Sequence, residues 1–199
     1  MAPSKLRMLL LSVVGAVALL GAVIAPASAA PDDAAPESSS GVAAAAFWSC
    51  TVPSGYVYTN TQSTLDCSTG GGFHTKYYVQ PPTNGLWACS TASGFTYSNT
   101  QSTLDCSTSG SFGTKYYLQT PKTGLWACTV PSGYTYSNTQ STLDCSTSGS
   151  FGTKYYLQTP KTGLWACTVP SGYTYTNTQS TLDCSTSGSF GTKYYLKAL

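Results

Sequence analysis

From residue 48 onward, short runs of aromatic and apolar residues alternate with polar ones, and the whole pattern returns every 39 residues. In one copy, Leu125-Trp126-Ala127-Cys128-Thr129-Val130 predicts a strand, Pro131-Ser132-Gly133 a turn, and Tyr134-Thr135-Tyr136 the returning strand. A polar run from Ser137 to Thr142 follows, then Leu143-Asp144-Cys145, then a flexible glycine-serine loop from Ser146 to Gly152. Thr153 to Leu157 reads as the third strand, and Gln158 to Gly163 turns the chain into the tryptophan strand of the next copy. No window places apolar residues at helical spacing. The chain is all-β.

The period carries Trp48, Trp87, Trp126 and Trp165, and with them two cysteines per copy. Trp126–Leu157 and Trp165–Leu196 differ at a single position, Ser137 against Thr176. The fold expected is four tandem, disulfide-stapled β repeats of 39 residues, spanning 47–86, 87–125, 126–164 and 165–199. An open array of small modules with nearest-neighbour packing is the favoured arrangement. The alternative is a closed four-bladed ring, in which the strand around Trp48 pairs with the strand ending at Leu196 and covers both free edges.

Eight cysteines then need partners. Pairing within repeats (Cys50–Cys67, Cys89–Cys106, Cys128–Cys145, Cys167–Cys184) uses every thiol, whereas pairing between neighbours strands Cys50 and Cys184 unless a ring closes. Within-repeat pairing is therefore favoured for an exported chain. A unit of this size is too small for a core alone, and a bridge closing a loop of this length supplies roughly 3 kcal/mol. A zinc site is not expected, because no Cys-x₂-Cys occurs and His74 is the only histidine.

Ahead of the repeats, Lys5 and Arg7 precede an apolar run from Met8 to Ile24, Pro26 and the small-x-small triplet Ala27-Ser28-Ala29. Residues 1–29 read as a signal peptide, and 30–46 as a disordered Ala/Pro/Ser-rich linker. The protein is expected to be secreted and extracellular, off the membrane after cleavage.

Composition narrows the chemistry. Charged residues make up 8% of the chain, and beyond residue 30 seven lysines balance seven acids with no arginine. That excludes the clustered basic footprint nucleic acid requires. Catalytic equipment is also missing. His74 lacks a repeated counterpart, and each repeat supplies one carboxylate (Asp66, Asp105, Asp144, Asp183) where glycoside hydrolysis needs two. These aspartates are expected to bond turn backbone. The chain is read as a non-enzyme with neither cofactor nor metal.

Strand alternation sorts the aromatics. Trp126, Cys128 and Val130 share a face, which places the tryptophans over the disulfides, and Tyr134 and Tyr136 belong to the core. In the Tyr-Tyr doublet, Tyr155 goes inward with Leu157 and Tyr156 outward with Lys154. The candidate ligand-binding set is thus Tyr78, Tyr117, Tyr156 and Tyr195, flanked by Lys76, Lys115, Lys154 and Lys193. Four exposed aromatics on a polar, neutral frame point to multivalent carbohydrate binding, with an extracellular polysaccharide or cell-wall polymer as partner. The alternative is a structural coat or matrix protein whose repeats self-associate without a discrete ligand.

Overall fold

Each repeat concentrates tyrosine, threonine and tryptophan into three short stretches, residue types that suit a pleated, half-buried surface. In the computed structural model, which describes residues 45–199, those stretches form four three-stranded antiparallel sheets. The signal peptide at 1–29 and all but the last two residues of the linker lie outside the described residues.

The first sheet comprises β1 (Phe47–Ser49), β2 (Val57–Thr64) and β3 (His74–Gln80) in the order β1-β3-β2. The second has β4 (Trp87–Ala88), β5 (Thr96–Thr103) and β6 (Gly113–Gln119). The third has β7 (Trp126–Ala127), β8 (Thr135–Thr142) and β9 (Gly152–Gln158), and the fourth β10 (Trp165–Ala166), β11 (Tyr173–Thr181) and β12 (Gly191–Ala198). The strand carrying the Tyr-Tyr doublet is always central. Pairing of the short tryptophan strand starts before the tryptophan: Gly85 N–H donates to Leu118 O and Leu118 N–H to Leu86 O. Structurally, repeat 2 therefore begins two residues ahead of position 87.

One disulfide staples each sheet to the loop that closes it: Cys50–Cys67, Cys89–Cys106, Cys128–Cys145 and Cys167–Cys184, with no free cysteine. Glycine is required where that loop rejoins the central strand. A Cβ on Gly152 would stand 2.9 Å from both Cβ and O of Cys145.

Neighbouring sheets are joined by a repeated set of bonds. Cys89, Cys128 and Cys167 N–H donate to Tyr58, Tyr97 and Tyr136 O of the preceding repeat, at 2.7 to 2.8 Å. A bulge in the long strand shifts the register between Tyr136 and Thr139 in repeat 3, and beyond it the Thr139 N–H and Oγ1 both donate to Asp183 O of repeat 4. Thr61 and Thr100 Oγ1 make the same bond to Asp105 and Asp144 O. A buried apolar cluster sits at the first of these junctions. Val57 of repeat 1 packs with Ala88 and Leu118 of repeat 2, all fully buried.

The closed ring does not form. β12 has β10 on one side and β11 on the other, so no edge is left for the strand around Trp48. Among the described residues, no hydrogen bond links repeat 1 to repeat 4. The array is open.

Candidate binding surface

Register decides what the tyrosine of the proposed set touches. Trp48, Trp87, Trp126 and Trp165 are the Cα partners of Tyr78, Tyr117, Tyr156 and Tyr195. In all four repeats the two rings meet with centroids 5.1 to 5.3 Å apart. The tryptophans are thus on the same face as these tyrosines, rather than on an inner face behind them. Alternation fixes which residues of one strand share a side, but it carries no information about which residue the neighbouring strand sets opposite.

The tyrosine hydroxyl reaches past the tryptophan to the turn before it. A Cβ on Gly124 (φ +85°) would lie 3.4 Å from Tyr156 Oη. The ring consequently lies along the face, half-buried in repeats 1 to 3, and reaches 37% exposure only at Tyr195. The inward tyrosine of the doublet instead meets the long strand: Tyr155 stands edge-on to Tyr136, with centroids 4.8 Å apart. Burial raises the phenol pKa of Tyr58, Tyr97 and Tyr136 above its ordinary value.

Each flanking lysine is already engaged. Lys76, Lys115, Lys154 and Lys193 Nζ donate to Oδ2 of Asp66, Asp105, Asp144 and Asp183, at 2.5 to 3.0 Å. The aspartates serve these lysines rather than turn N–H groups, while their own backbone N–H donates to a threonine Oγ1 two residues earlier. The lysine hydrogen bond holds all four carboxyls below their ordinary pKa. The face therefore presents an aromatic pair beside a self-neutralised ion pair.

The most exposed aromatic lies elsewhere. Phe73, Phe112, Phe151 and Phe190 are 70 to 74% exposed, and Leu65, Leu104, Leu143 and Leu182 are 53 to 54% exposed. The two flank the same loop: Thr142 and Gly152 form the last paired rung of β8 and β9, with Leu143 after the one and Phe151 before the other. The loop between is stitched by its serine hydroxyls, Ser146 to Ser148 at 2.9 Å and Ser148 to Ser150 at 2.6 Å. The loop of repeat 3 touches the central strand of repeat 2 through Thr147 and Thr114 Oγ1, 3.2 Å apart, so the phenylalanines follow one edge of the array. The surrounding Ser/Gly run reads as plain loop and gives these phenylalanines no prominence in the sequence. A single large apolar residue recurring every 39 positions inside it was the available signal.

At the other edge, a shallow groove of about 660 Å³ lies between repeats 3 and 4, lined by Pro131, Tyr134, Pro160, Pro170 and Tyr173 among others. His74 is exposed at the start of β3. Among the described residues, no group of three or more His, Cys, Asp or Glu could hold a metal ion, and no helix is long and apolar enough to cross a membrane. No protein-family model, curated protein or solved structure matches this chain.

Proposed function

We propose that this chain is a secreted, non-enzymatic, multivalent binding protein for an extracellular polysaccharide or cell-wall polymer. The observation that carries the reading is the Trp–Tyr pair, presented in the same geometry by all four sheets. Aromatic faces cover the apolar faces of sugar rings, and threonine, serine and asparagine around them offer hydrogen bonds. Because each lysine is balanced by its aspartate, the platform favours a neutral polymer over an anionic one. Four weak sites on one array gain avidity from a repeating ligand without any new contact. Four disulfides fit an oxidising compartment, which supports export.

The test is co-sedimentation with insoluble chitin, cellulose and peptidoglycan, against a control without polymer. The protein is expected in the pellet with a neutral polymer. Replacing Tyr78, Tyr117, Tyr156 and Tyr195 together by leucine keeps apolar bulk but removes the flat ring. Retention is expected to fall further than any one replacement causes. Equal retention of this variant would overturn the assignment of the site, and no retention of the native protein on any polymer would overturn the reading itself. Export predicts that the released protein begins at residue 30, which N-terminal sequencing reads directly.

A further inference from the structure

The surface that joins one repeat to the next has two halves, and among the described residues the first and the last repeat each leave one half unpaired. Repeat n supplies the long-strand half: a buried residue at the Val57, Thr96 or Thr135 position, a tyrosine carbonyl, and a threonine beyond the bulge. Repeat n+1 supplies the tryptophan-strand half: a buried alanine (Ala88, Ala127, Ala166), the cysteine N–H, and an aspartate carbonyl.

Burial tracks this division. Thr96 and Thr135 are 1% and 0% exposed, yet Thr174, their equivalent in repeat 4, is only half-buried. Tyr175 is 49% exposed where Tyr97 and Tyr136 are half-buried. At the other end Ser49 is half-buried, where its equivalents Ala88, Ala127 and Ala166 are fully buried.

We infer that this protein associates head to tail with further copies of itself, the repeat 4 face of one docking on the repeat 1 face of the next. Every hydrogen-bonding group the internal junctions use has its counterpart on the open ends, with Ser49 standing where they carry alanine. Thr135 Oγ1 bonds Thr168 O and Oγ1 at 3.2 and 2.9 Å inside the chain, and Thr174 and Thr51 are the matching residues at the ends. Tyr175 O and Thr178 likewise correspond to Tyr136 and Thr139, and Cys50 N–H and Asp66 O to Cys167 and Asp183. The occupant is a second copy because the complementary half exists on this chain and is already bound by its partner three times. The two halves differ, so the contact is heterologous and each added copy regenerates an open end. Nothing in this association requires a polymer ligand.

Sedimentation velocity on the full chain, exported with its disulfides formed, tests it from micromolar to millimolar concentration. The mass is expected to climb through multiples of one chain without stopping at two. Thr174→Arg blocks the tail and Ser49→Arg blocks the head, each at a position that is only half-buried in the lone chain. Each variant alone is expected to stay monomeric, and an equal mixture to stop at two chains, since one intact tail remains for one intact head. Gln101→Arg, on an exposed site of the second repeat, should assemble like the native chain. A native protein that stays monomeric throughout, variants that still assemble alone, or a mixture that stays monomeric overturns the proposal. Circular dichroism of each variant confirms that its sheets have formed.

Discussion

Trp126 and Tyr156 stand directly opposite each other on β7 and β9, with their rings 5.2 Å apart and the tyrosine hydroxyl over Gly124. A residue placed this way works for the fold as well as for any ligand. Tyr156→Ala is expected to destabilise the protein by about 1 kcal/mol or more, since aromatic pairs contribute about 0.5–1.5 kcal/mol beyond their buried area. Tyr156→Phe keeps the ring contact and should lose far less. Chemical denaturation followed by tryptophan fluorescence separates the two.

The Lys–Asp pairs predict a fall of stability in acid. Asp144 has its carboxyl pKa lowered, first by the hydrogen bond from Lys154. A lowered folded-state value stabilises above the unfolded value of about 4, and that contribution is lost as pH falls through the folded value. Thermal midpoints should therefore drop below about pH 4. Asp144→Asn should flatten part of that slope while costing little at neutral pH, because the Asp144 carboxylate is half-exposed.

The all-β class, the four repeats and the disulfide staples were legible from spacing alone, because a 39-residue period and an even cysteine count constrain the answer tightly. The faces were not. Placing Tyr156 on a side of its own needed only alternation, but putting Trp126 beside it needed the register between two strands separated by some 25 residues of chain. Alternation sets Lys154 on the same side of its strand as Tyr156, yet its partner Asp144 lies ten residues back across a closed loop, invisible until the bridge pulls that loop in. Phe151 was hidden by composition, since a Ser/Gly run suggests nothing worth presenting.

Gly152 and His74 occupy equivalent positions with opposite requirements. Adding a Cβ at Gly152 drives it into Cys145 at 2.9 Å, whereas repeat 1 carries His74 there beside a different loop, Gly70-Gly71-Gly72. Gly152→Ala is expected to cost about 1–3 kcal/mol through forced displacement, and His74→Gly to cost less. Differential scanning calorimetry on the two variants checks the asymmetry.

Ser90 is the one buried side chain among the described residues whose hydroxyl has no hydrogen-bond partner. Its equivalents Thr129 and Thr168 are bonded by Thr96 and Thr135, but repeat 1 places Val57 there instead. An orphaned buried hydroxyl costs about 1–3 kcal/mol, so Ser90→Ala should raise stability. Val57→Thr should raise it too, by restoring the bond the other junctions make, and the two gains should not add. A double-mutant cycle from urea midpoints measures that coupling.

Val57, Ala88 and Leu118 form their buried cluster across a boundary between repeats, not inside one. A single repeat cut free would own a sheet and a disulfide but only half of each core it helps to build. Two is then the smallest number that closes one such core, and each later copy closes another. Copy number becomes a quantity the genome can change by unequal recombination between near-identical segments, lengthening or shortening the protein without redesigning a single contact. The near-identity of Trp126–Leu157 and Trp165–Leu196 is what makes two successive copies interchangeable in this way.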